Sequence, residues 1–275
     1  MTISIRKALK NIVKDKDFLP KYTVLIILSF GCGLLSFALL AKNQQVMVPS
    51  LIIAIIASCF ALGYDIEYTK LLIKKDDADL PNWSRWAEYF GIGLKYIWAI
   101  ILLGITILTA IIMFAAIGTL LTLKVKSHMA IVIHTSYALL IVIEILMAFC
   151  SIGFTYLFIE SEYNILSLFN IKKLFGYISR NYFTALFGMA MLASINGVFA
   201  TLTTAKIKYA LLYIIPLMIA PFLRMISNNM IAQAYTANQN NEKSPLWKIL
   251  LFGLTAIIMF VIIITVGFIG NHVIK

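Results

Sequence analysis

A short acidic motif occurs twice in the sequence, with the pattern acid, any residue, glutamate, tyrosine. The two copies are Asp65-Ile66-Glu67-Tyr68 and Glu160-Ser161-Glu162-Tyr163. Carboxylate oxygens suit hard cations, so these four acids are candidates for a cation or metal site. They can also form ion pairs with lysines on adjoining turns, among them Lys70 and Lys172. Because carboxylates with shifted pKa values are often purely structural, the ion-pair interpretation is favoured, and we predict no bound metal and no cofactor.

Two charged residues, Glu144 and Arg224, stand inside long apolar runs. If these runs lie in a bilayer, each charge costs roughly 2.5–3.5 kcal/mol at the bilayer centre, and pairing would share that cost. We predict that Glu144 pairs with Arg224 or is protonated. Asn196 and Asn228 add polar groups at similar depth. The four residues form either a polar pocket or ion path, or only hydrogen bonds between helices.

The sequence lacks the motifs of the common enzyme classes. It has no Walker loop, no Gly-x-Ser-x-Gly, no His-Glu-x-x-His and no Cys-x-x-Cys. The cysteines Cys32, Cys59 and Cys150 lie in apolar runs without paired spacing, which is typical of small buried side chains and not of a disulfide or zinc site. We therefore expect a protein that is not an enzyme.

The composition indicates that lipid, not water, surrounds most of the chain. Of 275 residues, 61% are hydrophobic and 13% are charged, with a mean hydropathy of +0.93. A soluble domain has roughly 45–50% apolar and about 25% charged residues. The predicted fold class is all-α, a polytopic transmembrane helical bundle with amphipathic interfacial helices. The net charge of +11 suits anionic lipid headgroups, and the short loops leave no domain for nucleic acid.

Charge-poor runs of about 20 residues, the length that crosses a bilayer, predict about seven spans. They are 22–41, 46–64, 96–123, 129–159, 182–204, 209–235 and 249–270. Most Lys and Arg residues fall in the amino-terminal segment and in every second connection after it. The positive-inside rule then predicts a cytoplasmic (inner) membrane protein with its amino terminus inside and its carboxyl terminus outside.

Three segments on the predicted cytoplasmic side have the pattern of helices lying in the headgroup region. They are 3–13, 83–94 and 163–178. The first places Ile3, Ile5, Leu9, Ile12 and Val13 broadly on one side. The second carries Trp83, Trp86 and Tyr89, which we expect to be interfacial anchors, since Trp and Tyr prefer that depth.

The chain divides into three predicted regions. Residues 1–20 form a cytoplasmic amphipathic segment, 21–240 a six-span membrane domain, and 241–275 an additional carboxyl-terminal span. Within the membrane domain, each acidic motif is followed by an amphipathic stretch and a span. This order predicts a tandem parallel repeat of 46–123 and 129–204, an arrangement known in transporters.

Several motifs together resemble a prokaryotic family of polytopic membrane proteins, the domain of unknown function 4013. They are Lys14-Asp15-Lys16-Asp17-Phe18, Gly63-Tyr64, Leu80-Pro81-Asn82-Trp83, Gly93-Leu94-Lys95, and the stretch from Phe222-Leu223-Arg224 to Ala234-Tyr235. The resemblance covers about residues 5–240. The family usually has acids around the tryptophan, where this chain has Asn82, Ser84 and Arg85. Since the family has no established reaction, the resemblance implies a prokaryotic cytoplasmic membrane and transfers no site residue.

Three functions remain open on the sequence. The leading hypothesis is a permease-like or transport-associated protein, which predicts a water-accessible cavity lined by Glu144, Arg224, Asn196 and Asn228. The alternative is a non-catalytic envelope scaffold that holds lipids or other membrane proteins through its interfacial helices, with a dry bundle. A membrane-embedded enzyme would require Asp65, Glu67, Glu160 and Glu162 to converge on a metal.

Overall fold

The computed structural model of the protein describes residues 3–40, 44–122, 147–204 and 214–239. Within these ranges the α-helices are α1 (Ile5–Lys14), α2 (Phe18–Leu40), α3 (Gln44–Lys74), α4 (Trp86–Thr122), α5 (Met147–Glu160), α6 (Ile171–Gly176), α7 (Arg180–Thr204) and α8 (Ile214–Gln239). Short 3-10 turns, Trp83–Arg85 and Ile165–Phe169, precede α4 and α6. The predicted all-α fold is confirmed for the part of the chain that the structure describes.

Three helical segments in the described ranges are long and apolar enough to cross a membrane. They are Gln44–Lys74, Trp83–Thr109 and Ile214–Gln239. A fourth candidate joins Ile5–Lys14 to Phe18–Leu34 across a bend of 108°. These helices are those of a membrane-embedded protein, whereas the count of about seven spans stays a prediction. The seventh predicted span, 249–270, and most of the fourth, 129–159, lie outside the described residues.

Helix α8 is the central helix of the described bundle. It packs against α7, α3, α2 and α1, while α3 packs against α2 on one side and α4 on the other. Apolar side chains of α5, among them Phe154 and Phe158, fill the space beside α3 and α4. Other α5 side chains, Ile152 and Tyr156, pack with residues of α7 and α8. The core therefore combines contacts between neighbouring helices, such as α3 and α4, with contacts between helices far apart in sequence, such as α3 and α8.

Two glycines allow α3 and α4 to approach closely. A Cβ atom on Gly63 would lie 1.7 Å from the carbonyl oxygen of Tyr89, and one on Gly93 would lie 1.8 Å from the carbonyl oxygen of Cys59. Each glycine thus faces the backbone of the partner helix, which cannot move aside as a flexible side chain can. Small residues at such contacts are typical of membrane helix pairs, whose association depends on close packing.

The segment between α3 and α4 folds back onto α3. The ring of Tyr64 stacks on the indole of Trp83 with centroids 4.6 Å apart, and Tyr89 meets both rings edge-on. Tyr89 is fully buried, and Trp83 is half-buried against Tyr64. Of the three predicted interfacial anchors, two are therefore packing residues of the protein. Trp86 is 59% exposed, and its role as an anchor stays a prediction.

Helix α1 packs against the bundle on one face. The N–H of Ser4 donates to Oε1 of Gln233 in α8 at 2.8 Å, and Nε2 of Gln233 donates to the carbonyl of Ser4 at 3.2 Å. On the same face, Ala8 and Ile12 are fully buried. The exposed apolar side chains of α1 are Ile5, Leu9 and Val13. The predicted single apolar side is thus divided, because Ile3 and Ile12 pack on protein, while Ile5, Leu9 and Val13 form a separate stripe with a spacing of four residues.

Asp15 holds the turn between α1 and α2. Its carboxylate accepts hydrogen bonds from Lys21 Nζ at 2.8 Å, from the N–H of Leu80 at 2.7 Å and from the N–H of Asp17 at 2.8 Å. Burial alone would raise the pKa of Asp15, but these hydrogen bonds and the Lys21 charge outweigh it and hold the pKa below its ordinary value. The ionised carboxylate therefore joins the start of α2 to the α3–α4 connection.

We expect the protein to lose stability in acid through Asp15. Because the pKa is lower in the folded state, the stabilisation is complete above the unfolded pKa of about 4 and is lost as the pH falls through the folded value. Asp15→Asn should remove this part of the pH dependence, as thermal unfolding midpoints between roughly pH 6 and pH 3 would show. Asp17→Asn, on an exposed position of the same turn, is the control. An acid profile left unchanged by Asp15→Asn would contradict the assignment.

The two units of the predicted repeat share part of their element order. In each, an acid-bearing helix is followed by a 3-10 turn capped by an asparagine, Asn82 or Asn164, and later by a long helix, α4 or α7. The units differ at the acidic motif, since Asp65 and Glu67 lie inside α3, whereas Glu160 is the last residue of α5. The second unit also contains the additional helix α6. The repeat therefore stays a prediction.

Helix α5 ends in a C-cap that contains no glycine. The N–H of Tyr163 donates to the carbonyl of Phe158 at 2.8 Å, and the N–H of Glu162 donates to the carbonyl of Ile159 at 3.2 Å. This is the Schellman pattern, in which glycine is the usual residue. Glu162 and Tyr163 have positive φ angles of 53° and 70°. This left-handed conformation costs a residue with a Cβ atom about 1–2 kcal/mol of conformational free energy.

Glu162→Gly is expected to raise the free energy of unfolding by about 1 kcal/mol, because glycine relieves this backbone strain. Thermal unfolding in detergent would measure the change as a higher midpoint. Glu162→Ala is the matched control, since it removes the carboxylate but keeps the Cβ atom, and it should give no gain. Equal stabilisation by both variants would assign the effect to the charge and not to the backbone.

Candidate functional site

Asp65, Arg224 and Asn228 form a polar cluster between α3 and α8. Nδ2 of Asn228 donates to Oδ1 of Asp65 at 3.0 Å, and Nη1 of Arg224 lies 3.7 Å from Oδ2 of Asp65. Nη2 of Arg224 donates to Oγ of Ser29 in α2 at 3.3 Å. Three helices thus contribute polar side chains to one point.

Helix geometry explains how α8 presents its polar residues together. Arg224 and Asn228 are four residues apart, so they lie one above the other on the same face. Pro221 lies inside α8 just before them, where it removes one backbone donor and can kink the helix. Because the guanidinium and carboxylate share the cost of leaving water, this face of α8 is held against Asp65.

A cavity of about 400 Å³ lies beside the cluster, with walls from α3, α4, α5, α7 and α8. Its polar lining residues are Asp65, Thr69, Tyr96, Thr155, Arg224, Ser227 and Asn228. The remaining lining residues are Leu62, Ile66, Met189, Leu192, Ala193, Ala220, Leu223 and Ile231. Small-molecule sites typically measure about 300–1,000 Å³ and combine apolar walls with a few polar groups. The cavity therefore has the size and lining of a binding site.

The charged pair has unused hydrogen-bonding capacity. A carboxylate offers about four acceptor positions, and a guanidinium has several N–H donors. Among the described residues, Asp65 accepts a hydrogen bond from Asn228, Arg224 donates one to Ser29, and the buried Nε of Arg224 has no partner. At 3.7 Å the two ions attract each other without a direct hydrogen bond. Asp65 can therefore accept further hydrogen bonds, and Arg224 can donate further ones.

A second polar cluster joins the two acidic motifs. The hydroxyl of Tyr163 donates to Oε2 of Glu67 at 2.5 Å, and Lys70 Nζ donates to the Tyr163 oxygen at 2.9 Å. Nη1 of Arg85 lies 3.5 Å from Oε1 of Glu67, and Nε of Arg85 donates a hydrogen bond to Oε2 of Glu88. Burial raises the pKa of Tyr163, and the hydrogen bond to the Glu67 carboxylate raises it further. The phenol thus stays protonated as the donor that links the two motifs.

The first acid of the second motif bonds to α8 as well. Tyr235 donates its hydroxyl hydrogen to Oε1 of Glu160, and Lys173 Nζ contacts Oε2, both at 2.5 Å. Tyr235 is seven residues beyond Asn228, which places it about two turns further along the same face of α8. Helix α8 therefore bonds Asp65 of the first motif and Glu160 of the second.

A family model described as "Protein of unknown function (DUF4013)" matches residues 46–205. This range is more than half of the 275 residues and contains both acidic motifs. The chain belongs to the DUF4013 family. The resemblance found in the sequence is thus confirmed, over a shorter range than residues 5–240. No curated protein and no solved structure matches the chain.

In this DUF4013 protein, the residues that carried the resemblance contact one another. Tyr64 stacks on Trp83, and Gly63 and Gly93 form the close contact of α3 with α4. The connection that carries Trp83 is bonded to Asp15 through the N–H of Leu80. These residues therefore hold α2, α3 and α4 together, which is a structural role separate from the cavity.

The four carboxylates of the acidic motifs do not converge on a metal site within the described ranges. No group of three or more His, Cys, Asp or Glu residues there could hold a metal ion. Asp65, Glu67 and Glu160 each lie within 4.0 Å of a basic side chain, namely Arg224, Arg85 and Lys173. Glu162 is exposed on the surface. The membrane-embedded enzyme built on these acids therefore has no support in the described geometry.

Of the four predicted intramembrane site residues, Arg224 and Asn228 line the cavity. Glu144 lies outside the described residues, so its pairing stays a prediction, and Asn196 belongs to α7 with its side chain outside what the structure describes. Sequence reasoning placed Asp65 at the mouth of a span ending at residue 64, and so missed it as a partner of Arg224. The missed signal is the apolar run Leu71-Leu72-Ile73, which lets α3 continue beyond the acids to Lys74.

Proposed function

We propose that this DUF4013 protein is a permease-like membrane protein whose cavity binds a small solute during transport. The observation that carries the proposal is the cavity of about 400 Å³ beside Asp65 and Arg224. Charges at membrane depth cost free energy that apolar packing would avoid, so such residues are functional candidates. Five helices contribute to the walls, and sites between the helices of a bundle are common places for ligands.

We also propose an inner-membrane location with the amino terminus in the cytoplasm and the carboxyl terminus outside. The support is the basic character of α1, of the end of α3 and of the α3–α4 connection, whose cationic residues are Arg6, Lys7, Lys10, Lys14, Lys74, Lys75 and Arg85. Such an excess marks the cytoplasmic side of membrane proteins. Reporter fusions after residues 78 and 170 should then read inside, and one after residue 126 outside. A reversed reading at any of these sites would overturn the orientation.

Cysteine labelling tests whether the cavity is accessible to water, as transport requires. Cys32, Cys59 and Cys150 are first replaced by alanine, and a single cysteine is then placed at Ala193 or Ala220, which line the cavity. A small, charged methanethiosulfonate reagent is added to the purified protein in detergent. We expect both positions to react at least tenfold faster than buried control positions, because water and small ions reach the cavity.

Ala61→Cys and Ala99→Cys are the matched controls, since both alanines are fully buried and neither lines the cavity. All four substitutions exchange an alanine for the same side chain, so reactivity reports access. If the two cavity positions react as slowly as the two controls, the cavity is dry and the permease-like function is wrong.

A second candidate function is a scaffold that holds anionic lipids or other membrane proteins at headgroup level. The observation that favours it is the exposed stripe of Ile5, Leu9 and Val13 on α1, which neighbours basic residues in the same helix. An apolar stripe beside lysines is typical of helices that lie in the interface of anionic membranes. This candidate needs no water in the bundle, so the labelling experiment separates it from a permease. Neither candidate includes a catalytic step.

A further inference from the structure

We propose that the solute of this cavity is a small zwitterion with an apolar body, of the class of the apolar α-amino acids. The inference rests on the proposed function and adds the class of its substrate. The ammonium group of the solute bonds Asp65 and its carboxylate bonds Arg224, both from the cavity side of the pair.

The charges of the cavity lining favour a zwitterion. An anion and a cation, Asp65 and Arg224, line the same space with 3.7 Å between their nearest atoms. Both have capacity for further hydrogen bonds, since among the described residues Asp65 accepts one from Asn228 and Arg224 donates one to Ser29. A zwitterion supplies one donor group and one acceptor group, so it fits both ions and leaves the net charge of the cavity unchanged.

A solute with a net charge is disfavoured by the same pair. An organic anion would be attracted by Arg224 but repelled by Asp65, which lies only 3.7 Å from Arg224, and an organic cation would meet the reverse arrangement. Either one would also leave an uncompensated charge at membrane depth, where charges cost several kcal/mol. The pair therefore selects against both ions, whereas an uncharged apolar molecule would gain nothing from it.

The aliphatic part of the lining determines which kind of side chain the solute carries. Leu62, Ile66, Leu192, Leu223 and Ile231 surround the cavity with aliphatic surface. A volume of about 400 Å³ corresponds to about a dozen water molecules at roughly 30 Å³ each, which is room for a molecule of amino-acid size together with several waters. Aliphatic walls favour an apolar side chain, because its transfer from water is favourable.

Three probes with the same body test the charge requirement directly. They are leucine, 4-methylpentanoate, which lacks the ammonium group, and 3-methylbutylamine, which lacks the carboxylate. Binding to the purified protein in detergent is measured by equilibrium dialysis with radiolabelled compounds. We expect leucine to bind at least tenfold more tightly than either single-charge analogue. Equal or tighter binding of an analogue, or binding of none of the three at millimolar concentration, would overturn the zwitterion proposal.

Variants of the charged pair test which ion recognises which group. Asp65→Asn should weaken leucine binding at least tenfold and shift the preference towards 4-methylpentanoate, whereas Arg224→Gln should shift it towards 3-methylbutylamine. Asp17→Asn, which makes the same exchange at an exposed carboxylate outside the cavity lining, is the control and should alter leucine binding less than about threefold. If a charge variant does not fold, the comparison of the three probes on the unaltered protein still decides the proposal.

The two proposals fail in distinguishable ways. If the cysteines at Ala193 and Ala220 react rapidly but leucine binds no better than its analogues, the cavity is open and the substrate class is wrong. If the same cysteines are unreactive, the permease-like function is wrong, and the inference on its substrate falls with it.

Discussion

Gly63→Ala is expected to lower the free energy of unfolding by about 3 kcal/mol, near the upper end of the usual cost of overpacking. The added Cβ atom would stand 1.7 Å from the carbonyl oxygen of Tyr89, so α3 and α4 must separate. The separation would also disturb the stacking of Tyr64 on Trp83, which depends on the same helix pair. The thermal unfolding midpoint in detergent, with the fraction of monodisperse protein on a sizing column, measures the effect.

The same helix pair offers matched controls for this prediction. Gly91 and Gly104 lie in α4, and a Cβ atom added at either one would have no neighbouring atom within 4 Å, so alanine fits at both. Gly91→Ala and Gly104→Ala should leave the stability unchanged or raise it by up to about 1 kcal/mol, because alanine is the better helix former. A Gly63→Ala protein as stable as these two would show that α3 and α4 are not in close contact.

Removing Arg224 while keeping Asp65 is expected to destabilise the protein by roughly 3 kcal/mol. In Arg224→Met the carboxylate of Asp65 keeps its hydrogen bond from Asn228 but loses its only basic neighbour within the described ranges. An unpaired charge in a low-dielectric interior is costly, and the variant must either unfold more easily or protonate the acid. Thermal or denaturant unfolding of Arg224→Met in detergent measures the loss.

A double-mutant cycle isolates the interaction between the two ions. Asp65→Leu in the Arg224→Met background should recover part of the lost stability, because both charges are then absent, with a coupling energy of about 1–3 kcal/mol. The exposed pair Arg85 and Glu88 provides the control cycle, in which we expect a coupling below about 1 kcal/mol. Additive effects at Asp65 and Arg224 would mean that the 3.7 Å contact contributes no stability.

The helical class and the membrane environment could be predicted from the sequence, because both depend on local composition. Long apolar runs must satisfy their backbone groups internally in lipid, and helices do so within one segment. Local capping was also predictable in principle, since Ser4, Asn82 and Asn164 precede the elements that they cap. The importance of Arg224 and Asn228 followed from the rarity of polar groups in apolar runs, and both line the cavity.

The partners of these residues could not be predicted, because α3, the helix that carries Asp65, does not show in its sequence which side is buried. An amphipathic helix reveals its buried face through its pattern, but α3 has no such face over most of its length. Nothing local therefore indicates that Asp65 meets Asn228, a residue 163 positions away. The same reason explains Tyr89 and Trp83, whose types suit an interface but whose rings pack against the buried Tyr64.

The sequence by itself determined that this chain is a helical membrane protein of the DUF4013 family. It also showed that Arg224 and Asn228 are polar residues within a long apolar run. Only the tertiary structure decided that α8 bonds Asp65 and Glu160, that Glu67 bonds Tyr163, and that a cavity opens beside the charged pair. Solvent preference is a property of each segment and is readable from its residues. Contacts between apolar helices depend on the shapes of both surfaces at once, and only the packed bundle contains that information.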